Sequence, residues 1–237
     1  DDVADNQWPA SPKPAVRQVR YTLNRTPLVK DRQEAGAINQ ALSKRSTEDD
    51  KSRVGEPKTF NHLLVQSQGF QRLGALRMDV DNLGDIFKSG LGDYATLARL
   101  STLSFQLSLF FEGWVKHLCQ QANNNPFIYA VYAGGDDLFL IGPWERMPHL
   151  AYTIRQDFSE YTGAHARLTL SGGMAFIPGK YPVYQAAEDA AVALDAAKHQ
   201  TGKDAFNFLD HTWGWAQFPA ILEQQQKIGR ASCRERV

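Results

Sequence analysis

The sequence predicts an α+β fold built on a ferredoxin-like βαββαβ unit, with an antiparallel sheet and helices on one face. Three observations carry this expectation. From Ala75 onward, short apolar runs and helical periodicities alternate in the order βαββαβαβ. Two apolar runs, 127–133 and 138–142, are joined only by Gly134-Gly135-Asp136-Asp137, which is hairpin chemistry. Acidic and turn residues collect where the first strand ends, at Asp79-Val80-Asp81-Asn82-Leu83-Gly84.

The polar, proline-rich start, residues 1–14, reads as a linker, and 19–23 as a short strand. Residues 30–58 mix charges of both signs with few large apolar side chains, the pattern of a solvated or partly disordered insertion. Leu63, Leu64 and Val65 mark a short helix within 60–68. After the strand 75–80, Leu97, Leu100, Ser104, Leu107, Phe111, Val115 and Leu118 recur at helical spacing and predict one long helix over 94–122. Asn123-Asn124-Asn125-Pro126 stops it. A helix over 144–161, a strand over 167–177, a helix over 183–199 and a strand over 205–209 complete the pattern. Ser171-Gly172-Gly173 interrupts the second of these where backbone or ligand must approach closely. The helix 183–199 carries the small residues Ala186, Ala187, Ala190, Ala191 and Ala197 beside Leu194, suited to lying close on a sheet.

Across 237 residues, 43% are hydrophobic and 22% charged, enough apolar material for a sizeable core. The formal net charge is zero, so no overall field draws the chain onto nucleic acid or an anionic membrane. No apolar run is long enough to cross a bilayer, and the acidic start is unlike a signal peptide; the expected location is cytoplasmic. Cys119 and Cys233 have no zinc-site spacing, and the six histidines show no ligand or nucleophile-partner pattern.

Chemistry concentrates in three aspartates. In a βαββ arrangement the first strand lies beside the hairpin, so Asp79 converges with Asp136 and Asp137 on one sheet edge. No cation stands near them in sequence. Crowded carboxylates repel unless cations neutralise them, and hard oxygen ligands suit two Mg²⁺ or Mn²⁺ ions. Gly134 and Gly135 can take positive φ and bring backbone against a triphosphate. The ordinary alternative is a plain Gly-Gly-Asp-Asp turn. Asn82, Leu83 and Gly84 continue into a turn whose N–H groups can cradle phosphate oxygens, while Asp81 reads either as a further metal ligand or as a solvated turn residue. Lys198 and Lys203 are candidates to neutralise phosphates, or, for a lysine near a helix C-terminus, to complement its dipole. Ser101 and Ser104 either bond a nucleotide or make room for close packing.

These motifs resemble the large subunit of type III CRISPR effector complexes, specifically its second, GGDD-bearing Palm domain. The resemblance rests on Leu76 to Gly84, on Leu100 to Ser104 with Phe110-Phe111, and on Tyr132 to Phe139. It extends more weakly through Ser171-Gly172-Gly173, Ala187-Glu188 and Ala197-Lys198 to Gly202-Lys203. It implies a nucleotide cyclase or polymerase-like Palm that converts ATP to 3′–5′ cyclic oligoadenylates when guide RNA in the complex pairs with target RNA. Asp79, Asp136 and Asp137 are then the catalytic metal ligands, with the Val80 backbone as an additional contact. Asn82, Leu83, Gly84, Ser101, Ser104, Gly134, Gly135, Lys198 and Lys203 form the nucleotide site. The implied partners are the other subunits of the ribonucleoprotein, with no membrane.

On this reading 1–57 is a linker and partly disordered flank of a preceding domain, 58–217 the Palm domain, and 218–227 the start of a truncated following segment. Residues 228–237 can be encoded by a sequencing-library adapter and read as an artefact at the end of a fragment. No His-Asp dipeptide occurs, so the nuclease domain of many relatives is not expected here. The competing readings are a GGDEF-type diguanylate cyclase, against which Asp137-Leu138 replaces Glu-Phe, a template-dependent RNA polymerase, and a non-catalytic Palm scaffold.

Overall fold

The computed structural model describes residues 26–44, 50–121 and 127–224. The expected strand at 19–23, the Asn-Asn-Asn-Pro stop and the adapter-like end fall wholly or largely outside them. Seven helices and six strands organise these described residues around one sheet of order β2-β3-β1-β4-β5-β6. β1 (Leu73–Val80) lies at its centre, antiparallel to β3 (Asp137–Pro143) and to β4 (Leu170–Ile177). β2 (Tyr129–Gly134) completes the hairpin with β3. The first four strands have the order of a βαββαβ unit, and that unit's helices lie on one face, as the sequence predicts. Two additions enlarge the plan. β5 (Ala205–Phe208) pairs parallel to β4 after a helical crossover, and β6 (His211–Gly214) pairs antiparallel to β5.

Period-2 alternation along β1 sends its residues into two cores. Leu76, Met78 and Val80 pack with Met147, Leu150, Ile154 and Phe158 of α6 (Met147–Tyr161) and with Phe110, Phe111, Val115 and Leu118. Leu73 and Ala75 face the other way, against Leu63 and Leu64 of α2 (Phe60–Val65) and Ala186 and Ala190 of α7 (Val183–Lys198). Helices therefore cover both faces of the central strands, α2 and α7 adding the layer beyond the βαββαβ unit. Each fully buried large apolar side chain contributes roughly 1.5–3 kcal/mol.

The long helix is not uniform. After a short turn, α3 (Leu83–Asp85), the chain enters α4 (Leu97–Ser108), widens into a π-helical segment at Leu109–Trp114, and resumes as α5 (Val115–Gln120). The wide turn lets the successive residues Phe110 and Phe111 both face the core. It also divides the expected apolar stripe: Leu107, Phe111, Val115 and Leu118 are buried, whereas Leu97 is 82% exposed. Ser104, expected on the apolar face, is exposed, as is Ser101.

Residues 30–58 are not a solvated loop. They hold α1 (Arg32–Ser43), capped by Asp31, whose carboxylate accepts from the Glu34 N–H at 2.9 Å. Ala35, Ile38 and Leu42, three and four apart, bury against Val29 and Val65. The charges that suggested solvation are partly internal: the Lys58 ammonium is wholly buried and pairs with Glu34 at 2.5 Å and Gln66 at 3.0 Å.

Candidate nucleotide site

The sheet brings the three aspartates to one edge. Asp79 and Asp137 are paired across the β1–β3 ladder, a relation that places side chains about 4.5–5.5 Å apart at Cβ. Asp136 sits in the two-residue turn, and its carbonyl accepts the Val80 N–H at 3.1 Å, fastening the end of β1 to the hairpin. Val80 enters the site only through its backbone, because its side chain is core. Of the two turn glycines, Gly135 alone has positive φ, +65°, the first central position of a II′-type hairpin. Gly134 instead ends β2 in register with Asp137.

Two cations stand among these carboxylates, the expected Lys198 and an Arg77 that the reading of the sequence passed over. Lys198, in the last turn of α7, reaches Asp79 Oδ2 at 2.8 Å. Arg77 places Nη2 3.4 Å from Asp137 Oδ2. Arg77 was legible in principle, since it lies two residues before Asp79 on the same strand face. Burial pushes the Asp79 carboxyl above the ordinary range; Lys198 opposes this, while Asp136 and Asp137 push it further. Asp136 is raised by burial and then by the Asp137 charge. The nearby Tyr132 hydroxyl is raised by burial and then by Asp137.

Asn82 leaves β1 in the left-handed region at φ 57°, a conformation its side chain tolerates. Its Oδ1 accepts from Lys203 Nζ at 2.7 Å, so Asn82 and Lys203 meet across 121 positions of chain. Leu83 and Gly84 form the short α3 turn beside them. Asp81 is neither solvated nor grouped with the other carboxylates: it is fully buried and accepts from Thr169, Ser171 and the Asp204 N–H. Ser101 and Ser104 remain exposed on α4.

Ser171-Gly172-Gly173 marks a close approach of backbone. A Cβ on Gly173 would lie 2.1 Å from the Leu194 nitrogen, so α7 packs directly on β4 there, and Lys198 one turn later is set against Asp79. Among the described residues no three His, Cys, Asp or Glu side chains stand grouped to hold a metal. The donor chemistry nevertheless fits a hard divalent cation: Asp79 and Asp136 are half-buried carboxylates raised in part by neighbouring carboxylates, and such groups are the ones a cation relieves. Among the described residues no helix is long and apolar enough to cross a membrane.

The chain is similar to known proteins in sequence and fold. The chain is 41% identical over 140 residues to a protein of Methanocaldococcus jannaschii called CRISPR system single-strand-specific deoxyribonuclease Cas10/Csm1 (subtype III-A), covering 55% of this chain and 18% of the relative. A protein of the same description from Mycobacterium tuberculosis is 32% identical over 186 residues, covering 71% of this chain and 23% of the relative. The chain thus spans about a fifth of the length of these relatives. A Csm1–Csm4 cassette in complex with AMPPNP superposes with a TM-score of 0.62 at 30% identity, over 71% of this chain and 26% of that one. A cassette in complex with cA4 gives 0.61 at 29%, over 71% and 26%. The family model for the Cas10/Cmr2 second palm domain matches residues 72–207, from the first residue before β1 to β5, and the chain belongs to that family.

Proposed function

We propose that this chain is the nucleotide-polymerising Palm of a type III CRISPR effector subunit, joining ATP through 3′–5′ links into cyclic oligoadenylates. The observation that carries the reading is the convergence of Asp79, Asp136 and Asp137 at one sheet edge with Lys198 among them. Solved relatives with this fold hold AMPPNP and cA4, a nucleotide and a cyclic product class that suit such a site. The proposed setting is a cytoplasmic complex with guide RNA, target RNA and partner subunits, in which target binding switches synthesis on.

Asp79, Asp136 and Asp137, with the Val80 backbone, would hold two divalent ions, Mg²⁺ or Mn²⁺. Such ions, when bound, stabilise charge on the phosphoryl oxygens and favour ionisation of the attacking hydroxyl. The chain itself supplies position and charge. Lys198 exchanges its Asp79 contact for a phosphate oxygen, and Lys203, steered by Asn82, meets the triphosphate beside Leu83 and Gly84. Gly134 and Gly135 leave the hairpin bare, so that no side chain obstructs the nucleotide. Ser101 and Ser104, exposed on α4, would hydrogen-bond the nucleotide. No covalent nucleophile is required, since one 3′-hydroxyl attacks the α-phosphorus of a second ATP and pyrophosphate leaves.

The test is incubation of the full-length subunit, in its assembled complex, with ATP or GTP, Mg²⁺ or Mn²⁺ and target RNA, followed by mass analysis. Cyclic oligoadenylates are expected, and Asp136→Ala with Asp137→Ala should abolish them while assembly persists. Cyclic di-GMP would assign the chain to diguanylate synthesis. Absence of any nucleotide product would make it a scaffold.

A further inference from the structure

We propose that Asp81 is a positioning residue of the nucleotide site, holding Lys203 and Asn82 in the conformation that meets the triphosphate. The inference rests on the nucleotide-binding reading above and adds a residue that acts on substrate only through others.

Asp81 follows the last residue of β1 and is 0% exposed. A single oxygen, Oδ2, receives three donors: Thr169 Oγ1 at 2.8 Å, Ser171 Oγ at 3.0 Å and the Asp204 N–H at 3.1 Å. The Asp81 N–H in turn donates to the Thr169 carbonyl at 2.8 Å. Its other oxygen, Oδ1, is buried without a hydrogen-bond partner among the described residues. One carboxylate therefore joins the end of β1, the start of β4 and the loop that precedes β5.

That loop is conformationally demanding. Lys203 and Asp204 are consecutive non-glycine residues in the left-handed region, at φ 53° and 46°, and Asn82 opposite them is at 57°. Such residues persist only where their surroundings over-determine them. Here Oδ2 of Asp81 holds the Asp204 N–H, and Arg155 grips the Asp204 carboxylate with two bonds, 3.1 Å and 2.6 Å. The Lys203 ammonium then returns to Asn82, the neighbour of Asp81, at 2.7 Å. The circuit closes on itself within a few residues of Asp79. Asp81 is the acceptor that fixes its backbone, and the Lys203 ammonium, held on Asn82, is the cation the circuit carries.

Asparagine is a sharp test. It keeps one acceptor oxygen but removes the charge, and its amide puts a donor where Oδ1 now lies buried. Loss of charge assistance to the loop weakens it by about tenfold in population. In the full-length subunit within its complex, Asp81→Asn should raise KM for ATP about tenfold, with kcat nearly unchanged. Equilibrium affinity for AMPPNP should fall by the same factor. Lys203→Met should produce a similar loss, and the combined variant should be no weaker than either alone, because both remove one device. A role confined to stability would lower the melting temperature without this coupling. Wild-type protein that binds no AMPPNP overturns the nucleotide reading and this inference with it. Wild-type binding with equal affinity in folded Asp81→Asn, or with additive losses in the pair, overturns only the role of Asp81. If Asp81→Asn does not fold, Thr169→Val, which deletes one donor, decides: a smaller loss that vanishes in the Lys203→Met background is expected, and no loss or an additive one is fatal.

Discussion

Substituting Gly173 by alanine tests how the fold delivers Lys198 to Asp79. Gly173 has no unusual backbone angle, so the effect is purely steric. Its new Cβ would lie 2.1 Å from the Leu194 nitrogen, 2.3 Å from the Ala193 carbonyl carbon and 2.7 Å from the Leu194 Cα. Ordinary contact begins near 3.4 Å, and because the obstacles are backbone atoms, no rotamer change relieves them. The strand and α7 must separate by roughly 1 Å, the scale at which overpacking costs about 1–3 kcal/mol, here at or above the upper end. The neighbouring Gly172→Ala is the control, because its Cβ meets only side chains, Phe206 at 3.0 Å and Met78 at 3.1 Å, which can shift. Thermal unfolding of the two variants should show a clearly larger loss for Gly173→Ala, about 4 °C or more beyond the control. Nucleotide affinity should fall with it, since retreat of α7 lengthens the 2.8 Å Lys198–Asp79 contact. Equal melting temperatures for the two variants would refute the direct seating of α7 on β4.

Other outcomes follow from the same geometry. Asp136 is protonated more readily in the folded chain than the ordinary value of 3.8 allows. Stability therefore falls as pH rises from that value through the raised folded one, and the deficit persists at neutral pH. Asp136→Asn should accordingly raise the melting temperature at neutral pH while abolishing synthesis, the gain disappearing in acid. Gly135→Ala should cost about 1 kcal/mol of stability, because φ is +65° although the space beside it is open. Gly134→Ala, limited by the Tyr132 hydroxyl at 3.3 Å, should cost less. Lys58→Met should destabilise the α1–α2 region by about 2 kcal/mol, because Glu34 loses its charged partner and keeps only the Lys30 N–H and the Gln66 amide. Adding Glu34→Leu should recover most of it, as a double-mutant cycle of unfolding energies would register.

Much of the sheet was readable because its signals are local. Apolar runs of strand length, the Gly-Gly-Asp-Asp turn and the alanine stripe of α7 each declare themselves within a few residues. The hidden elements lacked such signals. β6 follows a turn through Leu209 and Asp210, both at positive φ and neither glycine, so no glycine announced it. In α1 the apolar face holds only Ala35, Ile38 and Leu42, and its charges hid their spacing until Lys58 was seen paired inside. The π-helical break is a response to packing Phe110 and Phe111 together, which helical periodicity cannot express.

At the site, sequence alone determined which chemistry was available: aspartates at a strand end and in a hairpin, beside residues that turn easily. Strand pairing then followed from topology, because period-2 alternation and a two-residue turn leave Asp79 and Asp137 little choice of neighbour. Only the tertiary structure decided the charges around them. Lys198 arrives from 119 positions beyond Asp79, carried by a helix whose seating depends on the missing side chain of Gly173. Likewise Asp81 could be distinguished from Asp79 only by its surroundings. Two residues apart in sequence, one meets an ammonium at the sheet edge and the other is sealed beneath three hydrogen bonds. Burial and partners belong to the folded chain, and they assign the two carboxylates different work.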